Sequence, residues 1–292
     1  MDIIKYKYFF IGFSSVLTLL AIVSMLVFGF RPGIDFAGGA FWQIEFANPV
    51  SLSALNEVFQ KEGLDNILVR EAASQQFSIR MKEINENEHQ ALLAVLREKF
   101  GSAEELSFSS IGPAIGLELR NRALLAFLLV LAGISLYVAF AFRKVSQPVS
   151  SWKYGLITLV TLFHDALIPT GVFALLGYFR GAELDTNFIV AILVVMGFSV
   201  HDTIVVFDRI RENLLISKNK KDLDGVINAS VNQTFARSVN TSLTLVLVLT
   251  ALYFFGADSL RYFTLLILLG TVIGTYSSIF VASPLLTFFT RR

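Results

Sequence analysis

Residues 188–213 read FIVAILVVMGFSVHDTIVVFDRIREN, and this stretch decides how the chain must fold. Its apolar part, 188–207, is about 20 residues long, enough for a helix rising ~1.5 Å per residue to cross ~30 Å of hydrocarbon. Asp202 lies inside it. A carboxylate near the centre of a span costs roughly 2.5–3.5 kcal/mol on insertion scales, so such groups face a bundle interior and mark ion or proton paths.

The rest of the chain agrees with a membrane setting. Of 292 residues, 54% are hydrophobic and only 16% charged, against about 25% charged in ordinary soluble domains. A net charge of +1 without a concentrated basic tract gives no reason to expect nucleic acid, and the absence of cysteine excludes disulfides, thiolate metal sites and thiol catalysis. No Walker-type GxxxxGK[ST] loop is present, so energy for any transport would come from a gradient or a partner.

Working outward, five further runs are long enough to cross: 8–30, 122–142, 154–178, 239–256 and 263–289. The first follows Lys5 and Lys7 and reads as an uncleaved span rather than a signal peptide, whose core is shorter. The last is interrupted at Ser283-Pro284, which neighbouring hydroxyls can accommodate. Lys and Arg gather on one side: Lys5, Lys7, Arg143, Lys144, Lys153, Arg209, Arg211, Lys218, Lys220, Lys221, Arg237, Arg291 and Arg292, against Arg180 and Arg261 opposite. The expectation is cytoplasmic termini and an outward-facing insertion.

That insertion, 31–121, has the composition of a soluble domain. Alternation predicts strands at 41–46, 67–71, 77–81 and 106–111, with a hairpin at Ser74-Gln75-Gln76; helical spacing predicts helices over 51–62 and 86–100. The order βαββαβ is that of a ferredoxin-like α+β domain. His89 stands alone in a polar helix start and reads as solvated. The expected fold is thus an α-helical membrane bundle of six transmembrane helices with a ferredoxin-like external domain between the first two. The expected divisions are 1–30, 31–121 and 122–292.

Several intramembrane polar groups are candidates for function. Asp202 shares a helical stripe with Phe198, Val205 and Arg209, while Gly197 and Ser199 would admit a neighbouring helix closely. The alternative is that Asp202 merely pairs with Arg209. Arg237, Asn240 and Thr241 (or Thr244) fall on one side at the start of the fifth span, and Arg237 can reach Asp202 if the fourth and fifth spans pack together. Otherwise it is an interfacial anchor. His164-Asp165 falls near mid-membrane, either as a proton relay or as an interhelical bond; His201 points about 100° away from Asp202 and serves a relay or packing. Asp208, Arg209, Arg211, Glu212 and Asn213 read by default as a solvated helix end.

Three motifs resemble one family. GFSVHDTIVVFDRIREN (197–213) resembles the fourth-span signature of the SecF family of protein-export subunits. GIDFAGG (33–39) is similar to the GIDF-x-GG element that begins the family's external domain, and ARSVNTSLTLV (236–246) to its RS-x-NTSLTT region. Gly33, Asp35, Gly38 and Gly39 belong to the second of these. The resemblance implies a relative of the resistance-nodulation-division transporters, working with SecD and the SecYEG channel on an unfolded preprotein in the bacterial inner membrane. It also implies that Asp202 is the proton-path aspartate and Arg237 its partner. Two positions depart from the pattern: His201 where the family often has Asn, and Ala37 where it usually has Thr. No cofactor or metal is called for, nor an enzyme. The rival readings are a non-conducting scaffold for SecD and the channel, and a small-molecule exporter of the same superfamily.

Overall fold

The computed structural model describes residues 2–64, 67–73, 75–143, 149–216 and 222–289. Ser74 of the expected hairpin and Lys144, Lys218, Lys220, Lys221, Arg291 and Arg292 of the charge pattern lie outside these ranges. In chain order, α1 (Lys7–Phe28) is followed by α2 (Ile34–Ala37), β1 (Gly39–Phe46), α3 (Leu52–Lys61), β2 (Leu68–Ala73), β3 (Gln76–Met81), α4 (Glu86–Phe100) and β4 (Ala103–Ile111). Four long helices follow: α5 (Pro113–Ala141), α6 (Ser151–Arg180), α7 (Thr186–Ile216) and α8 (Leu223–Phe255). The remaining elements are α9 (Arg261–Ser277), a π-helical turn Ser278–Ala282, and α10 (Ser283–Phe288). Two compact units result, Pro32–Ala123 and Met1–Arg31 with Leu124–Arg292.

In the first unit the strands form one antiparallel sheet in the order β2-β3-β1-β4. Period-two alternation sends Ala40, Trp42, Ile44 and Phe46 of β1 into the core beside Phe77 and Ile79 of β3. Leu55, Val58 and Phe59 of α3 and Leu92, Leu93 and Leu96 of α4 cover that face. Ser51 caps α3 by accepting from the Ala54 amide, and Asn85 with Glu88 forms a capping box on α4.

The paired glycines of GIDFAGG are required by geometry. Gly38 and Gly39 have φ of +76° and +119°, and a Cβ on them would approach Pro113 Cα to 2.8 Å and the Met81 carbonyl oxygen to 2.8 Å.

Two expectations change here. The last strand begins at Ala103, three residues before the expected start, because Glu104 and Glu105 hid its alternation on the sheet edge. His89 is not solvated: it is 2% exposed. Its ring stacks on Phe108 at 3.7 Å, and its two nitrogens meet Glu105 (2.5 Å) and Glu86 (3.4 Å). Trp42 Nε1 donates to the same Glu105 carboxylate at 2.8 Å.

Among the described residues six helical stretches are long and apolar enough to cross a membrane. Three are internal: the best apolar windows of α6, α7 and the α9–α10 run are 56%, 50% and 56% buried, against 17%, 11% and 17% for α1, α5 and α8. Small residues set the spacing. A Cβ on Gly171 of α6 would come within 2.5 Å of Ala21 Cα of α1, where Ser24 Oγ donates to the Gly171 carbonyl at 2.7 Å. On α9, a side chain at Gly270 would overlap Val195, and one at Gly274 would lie 2.9 Å from Ser199 Cβ. This is a small-xxx-small contact that lets α7 and α9 approach closely. The expected role of Gly197 in that contact is not met, since it is exposed with open space around it.

The interruption at Ser283-Pro284 takes a definite form. Proline cannot continue the ladder, so the helix widens into the π turn before it, and Ser283 Oγ donates to the Ser278 carbonyl at 2.8 Å. The fifth span extends far beyond its apolar core. Residues 223–238 are the first half of one continuous 33-residue helix.

Candidate functional site

Two carboxylates lie in the core of the helical unit. Asp202 of α7 is 2% exposed. Ser242 of α8 donates to its Oδ2 at 3.4 Å, and the Ser242 hydroxyl lies 2.5 Å from that of Thr275 on α9. Ser242 and Ser238, four residues apart, share the buried face of α8, and Ser238 Oγ has no hydrogen-bond partner among the described residues.

Asp165 of α6 is 0% exposed and more fully bonded. Ser199 of α7 donates to Oδ2, Ser277 of α9 donates to the same oxygen at 2.6 Å, and His164 Nδ1 lies 2.7 Å from Oδ1. Ser199 and Asp202 are three residues apart, about one helical turn. A further hydroxyl bond, Thr203 to Ser278 at 2.8 Å, ties α7 to the π turn. Threonine and serine thus line the seam of α6, α7 and α9 with groups able to donate and accept protons.

The expected Asp202–Arg237 pair does not form. Among the described residues no cation forms a salt bridge with Asp202; Arg237 is exposed and lines a polar cavity of about 370 Å³ with Val205, Asp208, Arg209, Glu212, Gln233 and Thr234. Asn240 and Thr241 are likewise exposed, because α8 presents Ser238 and Ser242 inward, roughly one residue's rotation away. Nor does Arg209 pair with Asp202: it bonds Glu212 at 2.5 Å and Gln233 at 2.6 Å. The 208–213 cluster is more than a solvated end. Asn213 donates to Ser230 and Gln233, clasping α7 to the first turns of α8, while Arg211 pairs with Asp208 at 2.6 Å. His201 is exposed, whereas the Asp202 carboxylate beside it in sequence is buried. Gly33 and Asp35 sit at the α2 turn that leads into the glycine pair.

Sequence reasoning missed Ser238, Ser242, Thr275, Ser277 and Gly270/Gly274. The glycines were visible as a GxxxG within an apolar run; lone hydroxyls in a span carry almost no signal.

These features define a multi-pass membrane protein with ionisable groups buried among its inner helices and an α/β unit inserted after the first span. Residues 91–292 match the family model described as protein export membrane protein SecD/SecF, C-terminal, and residues 23–50 match the SecD/SecF GG motif. The chain belongs to the SecD/SecF family of protein export membrane proteins. It is 44% identical to the protein translocase subunit SecF of Thermobaculum terrenum, over 98% of this chain and 93% of that one. It is 34% identical to the protein translocase subunit SecDF of Bacillus subtilis, covering 96% of this chain but 37% of that protein. The crystal structure of SecDF, a translocon-associated membrane protein from Thermus thermophilus, superposes with a TM-score of 0.83 at 31% identity over 99% of this chain and 38% of that one.

Proposed function

We propose that the protein is an accessory subunit of preprotein export that works with a SecD partner and couples proton movement at Asp202 to late translocation through a SecYEG channel. The observation that carries this reading is Asp202 itself: a buried carboxylate within a span, hydrogen-bonded by Ser242 of α8 and, among the described residues, in no salt bridge with a cation. Intramembrane carboxylates of this kind mark proton paths. Protonation of Asp202 removes a charge from the α7–α8–α9 contact and allows those helices to shift, which moves the external unit that holds or releases an emerging unfolded chain. Arg237, five residues before Ser242, lies at the cytoplasmic end of this route beside Asp208 and Glu212 and enters as a gating charge rather than a resting partner.

Several finer assignments belong to the same reading. The strand order β2-β3-β1-β4 with antiparallel neighbours supports a ferredoxin-like external domain over 31–121, between a first span at 1–30 and a five-span domain at 122–292. The Lys and Arg asymmetry supports cytoplasmic termini in a bacterial inner membrane. Lys7 bonds Asp224 and Thr287, and Lys153 bonds the Phe289 carbonyl, so these cations also tie helix ends together at that face. Asn240, Thr241 and His201 are exposed polar groups at bilayer depth. Against lipid they are costly, which supports a partner subunit covering this face. The role is that of a transport subunit rather than an enzyme, with no cofactor.

The test is Asp202→Asn in the assembled complex. Loss of proton-dependent export with SecD still co-purifying is the expected result. Normal export would refute the coupling role, and loss of export together with loss of SecD would favour the scaffold reading.

A further inference from the structure

We propose that Asp165 and His164 form a second proton-binding station, one turn along α7 from Asp202, at which the free ring nitrogen of His164 exchanges protons with water. The inference rests on the proton-coupling reading above and adds to it the residues that receive the proton. It stands on a contrast within one side chain. Nδ1 of His164 is engaged with Asp165 at 2.7 Å, whereas Nε2 is buried and has no hydrogen-bond partner among the described residues. His164 is 6% exposed, so this nitrogen is not left to bulk solvent. Leaving a buried polar atom without a partner is destabilising. A purely structural His-Asp bond would be met as well by a residue that lacks the second nitrogen.

The surroundings fit proton exchange. Ser199, Ser277 and Nδ1 supply three donors to the Asp165 carboxylate, which fixes Nδ1 as the protonated nitrogen and leaves a bare lone pair on Nε2. A proton from hydronium adds to Nε2, leaving water. The Nδ1 proton then crosses to Oδ1, and a neutral ring faces a carboxylic acid. Return of that proton to Nδ1 and release from Nε2 reverses the step. Pro169, four residues on, has no N–H for the Asp165 carbonyl, so the helix is loosened where the pair sits. Helices α1, α7 and α9 pack on α6. The titratable groups they carry are Lys7 and Tyr8 at the start of α1, His201, Asp202, Asp208, Arg209, Arg211 and Glu212 on α7, and Arg261, Tyr262 and Tyr276 on α9; Arg209 and Arg211 are paired with Glu212 and Asp208. The Tyr276 hydroxyl is engaged with Ser14 at 3.1 Å. Asp202 is therefore the acidic group nearest along α7 to accept the proton next.

The experiment uses the full chain with its SecD partner in vesicles containing a trapped pH-sensitive dye. His164→Asn is the decisive variant, because its amide can replace Nδ1 toward Asp165 but offers nothing at Nε2. Proton transfer by a positioned side chain is typically worth roughly a hundredfold, and a fall in flux of that order is expected for His164→Asn and for Asp165→Asn, with the complex intact. Wild-type flux in His164→Asn overturns the proposal. A second measurement needs no change at either residue: nitrogen-15 imidazole spectra of the wild-type chain. The chain has three histidines, so His89→Gln and His201→Gln assign the His164 signals. An Nδ1–H tautomer whose Nε2 gains a proton as pH falls supports the station, and a ring signal unchanged with pH overturns it. Asp202→Asn runs in parallel. If it alone stops flux, the coupling reading stands and only this inference falls; if it leaves flux intact, the coupling reading falls while the His164 spectra still decide the station.

Discussion

The protein buries two histidines against carboxylates, one in each unit, and they differ in a single nitrogen. His89 in the α/β unit has both ring nitrogens engaged, by Glu105 and Glu86, and its face is stacked on Phe108. His164 in the helical unit has one nitrogen engaged and one free. Fully satisfied buried polar groups rigidify and specify a core; a half-satisfied one is expensive and persists where it has work to do. The contrast separates a histidine that builds structure from one that handles protons, although both read in the sequence as isolated polar residues.

The comparison can be broken in three ways, from the largest effect to the smallest. Gly270→Ala forces a methyl into Val195 and pushes α9 from α7, withdrawing Ser277 from Asp165. Overpacking of this kind costs about 1–3 kcal/mol. Thermal unfolding of the purified protein in detergent should fall accordingly, and an unchanged midpoint would show that the seam is loose. His89→Gln keeps a donor for Glu105 but loses the stacked ring, worth about 0.5–1.5 kcal/mol. Hydrogen exchange of β1 and β4 in the full chain should quicken while proton flux keeps its pH profile; a shifted profile would erase the distinction between the two histidines. The smallest effect concerns Glu86, held below its ordinary value of 4.5 by the hydrogen bond from Gln90 and then by that from His89. A carboxyl with a lowered folded pKa adds stability above its unfolded pKa and loses it as pH falls through the folded one. Acid melts of the wild type should therefore show a slight extra loss below about pH 4.5, absent in Glu86→Gln; identical acid limbs would dismiss the contribution.

Much of the architecture was legible because it follows from periodicity and length. Apolar runs located all six spans, and alternation located all four strands, failing at Glu104 and Glu105, where an edge strand carries two consecutive charges, one of them turned to Trp42 and His89. Asp202 was legible because a carboxylate in hydrocarbon is energetically conspicuous. Its neighbours were not. Helical spacing puts Arg237, Asn240 and Thr241 on one side of α8 but does not say which side faces α7, and a rotation of about 100° replaces them with Ser238 and Ser242. Hydroxyls in a span often bond their own backbone, as Thr244 does to the Thr241 carbonyl at 2.7 Å, so their presence alone does not mark a site. The GxxxG at Gly270 and Gly274 was readable and would have joined α9 to Ser199.

The π turn at Ser278–Ala282 has a consequence for the length of the chain. Such a turn holds one residue more than an α-helix needs, so the residues on either side keep separate rotational settings: Ser277 faces Asp165 before it, and Leu286 faces the apolar core after it. Elsewhere in the inner spans, removing one residue would turn everything beyond it by about 100° and take its buried face out of contact. Here a single deletion would remove the extra residue and leave both settings preserved, with Pro284 still interrupting the ladder. The last span therefore carries its own tolerance for a change of length, confined to these five residues.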